Sequence, residues 1–222
     1  MRPGGLIFDF DGVLLESEFE GNRHLAELLT ELGYDHSIAE TNRHYTGLSG
    51  ADFIAAIEQR IGTMLPSEFH DRLRDRSRQA LREGIAAVSG AVEFVRSLPP
   101  ELPKAVASSS STRWIRGHLA HLSLEGEFGD HIYSGHEHVE RGKPQPDIYW
   151  HAAEAIGVPI ADCAILEDSV VGATGAVASG ARVVGLAAGA HCRDGHDALL
   201  REVGVGEIAY SFDEVRKLLD LV

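Results

Sequence analysis

The chain has 222 residues, enough for one large domain or two small ones, with an ordinary soluble composition of 44% hydrophobic and 24% charged residues. Its 34 acidic and 20 basic side chains leave a formal net charge of −14. That argues against nucleic acid or an anionic membrane as partner, because both are held through Lys/Arg patches, and it means that an anionic substrate needs a locally positive pocket.

Met1-Arg2-Pro3-Gly4-Gly5 carries no signal-peptide pattern, and no apolar run reaches membrane-spanning length, so a cytoplasmic protein is expected. The only cysteines are Cys163 and Cys192, which fits a reducing compartment without a disulfide. Residues 5–10 read as a buried strand ending on Asp9-Phe10-Asp11-Gly12. At a strand end a side chain and its i+2 neighbour point the same way, so both acids can face one small ligand. Two such charges need a cation between them or a proton on one. Mg²⁺ suits carboxylate and phosphate oxygens together, and a carboxylate can itself attack phosphorus. A solvated surface turn would use the same residues.

Residues 16–84 read as helices only. Leu25, Leu28, Leu29 and Leu32 form one stripe closed by Gly33, and Phe53, Ile54, Ile57 and Ile61 a second closed by Gly62. Pro66 opens a third helix with Phe69, Leu73, Ala80 and Leu81 on its apolar side. From about residue 85 the rhythm changes. Apolar runs at 105–107, 132–133, 164–166 and 183–186 alternate with helical stretches at 90–98, 112–122, 146–156, 170–179 and 194–203. This predicts an α/β fold with a parallel, Rossmann-like sheet covered by helices on both faces. The first strand must join that sheet, which makes the helical block an inserted domain rather than a loop.

The residues that could do chemistry fall at strand ends, where open α/β sheets bind ligands. After the second strand comes Ser108-Ser109-Ser110-Ser111-Thr112, whose hydroxyls and N–H groups at a helix start suit an anion, or simply cap the helix. Lys143, one of three lysines, sits in Gly142-Lys143-Pro144-Gln145-Pro146, where prolines fix the backbone; a solvated turn lysine is the plain alternative. Glu167-Asp168-Ser169 follows the fourth apolar run, and one acid could complete a Mg²⁺ site or cap the next helix. Small residues from Gly172 to Gly180 allow that helix to approach the sheet closely.

In this order the pieces resemble the four motifs of the haloacid dehalogenase superfamily: Asp9-Phe10-Asp11-Gly12-Val13, Ala107-Ser108-Ser109, Gly142-Lys143-Pro144 with Pro146-Asp147, and Leu166-Glu167-Asp168-Ser169. The resemblance covers nearly the whole chain. It is nearest to the branch of β-phosphoglucomutase and small sugar-phosphate phosphatases, whose helical insertion after the first motif is called a C1 cap. It implies a core of residues 1–14 and 85–222, a cap of residues 15–84, and a Mg²⁺-dependent phosphatase acting on a small phosphorylated metabolite, a sugar or sugar-acid phosphate, through an aspartyl-phosphate. By the same resemblance Asp9 is the nucleophile and Asp11 the general acid/base. Ser108, Ser109 and Lys143 hold the phosphate. Asp9, the Asp11 carbonyl, Asp168 and Glu167 surround the metal. The cap loop Gly47-Leu48-Ser49 selects the substrate.

Asp11 and the Glu167-Asp168 pair disfavour dehalogenation, and the absence of lysine from 15–84 disfavours Schiff-base phosphonate chemistry. The alternative is a phosphosugar mutase like β-phosphoglucomutase. Gly21 and Gly50 stand where that enzyme places a cap His and Arg, which favours water as acceptor. His136, His138, and His191-Cys192 with His196 read as surface loops. Arg72, Arg74, Arg76 and Arg78 read as a solvated helix face, with Arg23 and Arg43 nearer the expected cleft. A monomer is expected.

Overall fold

Gly5–Phe8 (β1) is buried at every position, which is why it reads as an unbroken apolar run: it is covered on both faces. In the computed structural model, which describes residues 2–45 and 50–221, β1 is followed by four helices, Ser17–Glu31 (α1), Ile38–Tyr45 (α2), Gly50–Ile61 (α3) and Phe69–Glu83 (α4). The rest alternates: Ala91–Ser97 (α5), Lys104–Ser108 (β2), Thr112–His121 (α6), Glu125–Phe128 (α7), Ile132–Ser134 (β3), Asp147–Ala155 (α8), Cys163–Glu167 (β4), Val170–Ser179 (α9), Arg182–Leu186 (β5), His196–Glu202 (α10), Glu207–Ala209 (β6) and Phe212–Leu218 (α11).

The strands form one parallel sheet in the order β3-β2-β1-β4-β5-β6. The fold is thus α/β and Rossmann-like, with β1 central. Successive side chains go to opposite faces. Leu6, Phe8, Val106, Ala164 and Leu166 pack with α5, α6, α7 and α11 on one side. Ile7, Ala105, Ala107, Cys163 and Ile165 pack with α8, α9 and α10 on the other. No helix among the described residues is long and apolar enough to cross a membrane.

The segment α1–α4 has a buried cluster of its own, formed by Leu25, Leu28, Leu29, Tyr45, Ile57 and Phe69. It leaves and rejoins the sheet through two paired linkers. Leu15 bridges Ala87, the Glu16 N–H donates to Ala86 O at 2.9 Å, and the Val88 N–H donates to Leu14 O at 3.1 Å.

The structure corrects the sequence reading in places. Pro66 opens a turn, with the Phe69 N–H on its carbonyl at 2.9 Å, and α4 begins only at Phe69. α2, α7, β6 and α11 were not expected; they are three to eight residues long, too short for a periodic pattern to stand out.

Candidate active site

Four segments at the carboxyl edge of the sheet converge on one cleft of about 400 Å³: the end of β1, the turn after β2, the loop before α8 and the end of β4. The Asp9 N–H continues the ladder onto Leu166 O at 2.9 Å, so the Asp9 side chain leaves the sheet beside Glu167 and Asp168. The Lys143 side chain, only 4% exposed, donates to Asp9 Oδ1 and to Glu167 Oε1, each at 2.6 Å, and lies 5.1 Å from the Tyr149 ring centroid. Glu167 is spent on this framework. Its Oε1 also accepts from Tyr149 OH at 3.0 Å, and its Oε2 accepts from the Ser169 N–H at 2.9 Å and Oγ at 3.0 Å. Gly172 makes room for it, since a Cβ there would lie 1.6 Å from Glu167 Oε1.

Asp11 is held by donors from both sides of the cleft. Ser17 Oγ at 2.6 Å and Trp114 Nε1 at 3.0 Å reach Oδ1; Ser110 Oγ at 2.6 Å and Ser108 Oγ at 3.2 Å reach Oδ2. Capping of α6 falls to Ser111, whose Oγ accepts from the Trp114 N–H, and this leaves Ser108 and Ser109 facing the cleft. Gly12 lies at φ +81°, where an L side chain is strained, and a Cβ there would also strike Asp168 Oδ2 at 2.0 Å.

The electrostatics are unbalanced. Burial pushes the Asp9 carboxyl well above the usual carboxylate range; Lys143 pulls it back, and Glu167, Asp168 and Asp11 push it up again. Asp168 is likewise pushed well up by burial, then by Glu167 and Glu18. Burial opposes the charge on Lys143, but Asp9 and Glu167 outweigh it and hold the ammonium well above its ordinary pKa. One ammonium thus faces several carboxylates. Asp168 Oδ1 is buried without any hydrogen-bond partner, and Asp9, Glu167 and Asp168 each bring an oxygen within 4.8 Å of the others. Hard oxygen donors at that spacing, with one left unsatisfied, fit a divalent cation of the Mg²⁺ type.

Asp9, Asp11, Ser108, Ser109, Lys143, Glu167 and Asp168 therefore lie together. Gly47, Leu48 and Ser49 fall outside the described residues. Arg23 lies on α1 and is paired with Glu20 and Glu27. Arg43 is exposed on α2. The α4 arginines pair along the surface, Arg76 with Glu27 and Glu31, and Arg78 with Asp75.

The reading of His191 as a surface-loop residue is overturned: it is buried, with Nε2 2.8 Å from Asp168 Oδ2. Trp114, Tyr149, Ser17 and Ser110 were also missed. Trp114 at i+3 from the helix cap was the only legible hint, and a core role accounted for it equally well.

Comparison with known proteins converges on one group. A family model described as haloacid dehalogenase-like hydrolase matches residues 6–186. The candidate phosphatase YhcW of Bacillus subtilis (strain 168) is 32% identical over 181 residues, covering 81% of each chain. The 6-phosphogluconate phosphatase of Escherichia coli (strain K12) is 25% identical over 191 residues, covering 86% of this chain and 85% of that one. A crystal structure of a hydrolase of this group from Deinococcus radiodurans R1, with bound phosphate and sodium, superposes with a TM-score of 0.85 at 31% identity over 98% of this chain and 95% of that one.

Proposed function

The chain belongs to the haloacid dehalogenase-like hydrolases and is a phosphoric monoester hydrolase acting on a phosphorylated metabolite, and we propose that it transfers the phosphoryl group of a small, neutral sugar or polyol phosphate first to Asp9 and then to water. The observation that carries this reading is the Asp9 carboxylate at the mouth of the sheet, with the Lys143 ammonium 2.6 Å away and Asp11 two residues on.

Asp9 attacks phosphorus in line with the ester oxygen, and the P–O ester bond breaks as the Asp9–phosphorus bond forms. Asp11 gives its proton to the leaving alkoxide. It then takes a proton from the water that attacks the aspartyl-phosphate, so phosphate leaves and both acids return to their starting state. Lys143, Ser108 and the Ser109 N–H neutralise and orient the phosphoryl oxygens. Asp9, the Asp11 carbonyl and Asp168 would hold Mg²⁺, which when bound neutralises charge on the phosphoryl oxygens. Glu167, with both oxygens already engaged, acts chiefly by fixing Lys143. Residues 15–84 act as a cap that closes over the cleft; their separate core and the paired linkers at 14–16 and 86–88 support this.

The cleft's charge narrows the substrate. Among its described lining residues Lys143 is the only Lys or Arg, and it is matched by two carboxylates. The cap side offers Ser17, Glu18, Gly21, His24 and Ser77. The undescribed segment 46–49 carries no charged residue. A second anionic group on the substrate would thus meet Glu18 without a cation, whereas hydroxyls find acceptors. Gly21 faces open space and gives no grip on a second phosphate, which favours water over a sugar hydroxyl as acceptor.

A phosphate-release panel of matched substrates tests this. Hexose and hexitol monophosphates should exceed phosphorylated sugar acids in kcat/KM by roughly tenfold or more, about 1.4 kcal/mol. Preference for the acids would contradict it, and conversion of a hexose 1-phosphate to the 6-phosphate without phosphate release would favour the mutase alternative.

A further inference from the structure

The loop after β5 brings two imidazoles onto Asp168, and we propose that His191 and His196 are positioning residues that aim this carboxylate at the metal; the inference rests on the Mg²⁺-dependent reading above. His191 Nε2 lies 2.8 Å from Asp168 Oδ2, with both side chains 2% exposed. His196 Nε2 lies 2.6 Å from the Asp168 carbonyl oxygen. A carbonyl only accepts, so that nitrogen carries the hydrogen. One carboxylate oxygen and the main chain of Asp168 are thus held, Oδ1 is left buried without a partner, and the carboxylate brings an oxygen within 4.8 Å of those of Asp9 and Glu167. A carboxylate tethered at one oxygen has lost the rotational freedom that metal binding would otherwise have to remove.

The loop is built to deliver these rings. The Gly189 Cα packs against His191, where a Cβ would come within 2.6 Å of Cε1 and Nδ1. The Cys192 N–H donates to Gly189 O at 2.9 Å, closing the turn, and the Ala190 N–H donates to the Glu16 carboxylate at 2.9 Å. Glu16 immediately precedes α1, so the same loop ties Asp168 to the linker that leads into the helical segment.

His191, Cys192 and His196 also have the spacing of a separate soft-metal site. Their chemistry favours the Asp168 role instead. Both Nε2 atoms already face Asp168.

Calorimetric titration with Mg²⁺ of the wild type, His191→Leu, His191→Gln, His196→Leu and Cys192→Ala tests the inference. Each variant is first checked for native circular dichroism. Folded His191→Leu and His196→Leu should each bind Mg²⁺ about 10–100-fold more weakly. His191→Gln, whose amide can replace the lost donor, should recover most of the affinity, and Cys192→Ala should match the wild type. The turnover lost in His191→Leu should return as Mg²⁺ is raised. Unchanged Mg²⁺ affinity in folded His191→Leu, or in folded His196→Leu if the first variant does not fold, overturns the inference alone. A wild type that binds no Mg²⁺ overturns the metal reading and this inference with it. Tight Zn²⁺ binding lost in Cys192→Ala, with Mg²⁺ affinity unmoved in the histidine variants, assigns the cluster to a second metal instead.

Discussion

His118 shows how far single residues are committed to the site. It is fully buried under Trp114, edge to face at 4.2 Å, and neither ring nitrogen has a partner. Trp114 in turn donates to Asp11. Burial lowers the His118 pKa to about 4, below its ordinary 6.5. The unfolded chain therefore takes up the proton first. Stability from this group is complete above pH 6.5 and is lost as pH falls toward 4, by at most about 3 kcal/mol. Urea unfolding of wild type and His118→Leu at pH 7 and pH 4.5 should show the wild type losing more stability on acidification than the variant. Equal losses would place the acid sensitivity elsewhere. The residues that sequence made legible, Asp9, Asp11, Lys143 and Asp168, each follow an apolar run or directly precede a proline pair, so their place at the sheet edge is written locally. Trp114 and His191 are not legible in that way. Their roles depend on contacts with Asp11 and Asp168, distant in sequence and made across loops.

Among the elements, α9 carries the tightest constraint. Ser169 caps it by accepting from the Gly172 N–H at 2.9 Å while its Oγ and N–H hold Glu167. Gly172 lets the first turn touch the Glu167 carboxylate, and Gly175 approaches the Pro144 and Gln145 carbonyls within 3.0 Å of where a Cβ would sit. The run of small residues foretold close packing; the sequence could not say that the surface being approached is the carboxylate that fixes Lys143. Gly172→Ala should drive Glu167 off Lys143, lowering kcat by about 100-fold or more and destabilising the fold by about 1–3 kcal/mol as overpacking does. Steady-state turnover and urea unfolding of the variant check both effects, and a normal kcat would show that Glu167 is not needed where it stands. Helices with long apolar stripes, such as α1 and α3, were legible. α2 and β6, at eight and three residues, owe their form to tertiary neighbours.

On the scale of the molecule, the alternation of short apolar runs with helices encoded the parallel sheet, and its interruption between residues 16 and 84 encoded the helical insertion. The strand order places β1 between β2 and β4, so the three strands carrying Asp9, Ser108 and Glu167 are neighbours and their side chains meet without long reach. A chain of net charge −14 can work on an anion there because Lys143, a helix start and the metal that the carboxylates are suited to hold concentrate positive field in one cleft. On the proposed mechanism Asp9 carries the phosphoryl group between substrate and water. Rapid acid quench during turnover of a hexose phosphate, followed by intact-protein mass and peptide mapping, measures this directly. One hydroxylamine-sensitive phosphoryl group is expected on Asp9, absent from a folded Asp9→Asn variant that has lost turnover by several orders of magnitude. An adduct mapped to another residue, or substantial turnover in that variant, would contradict it.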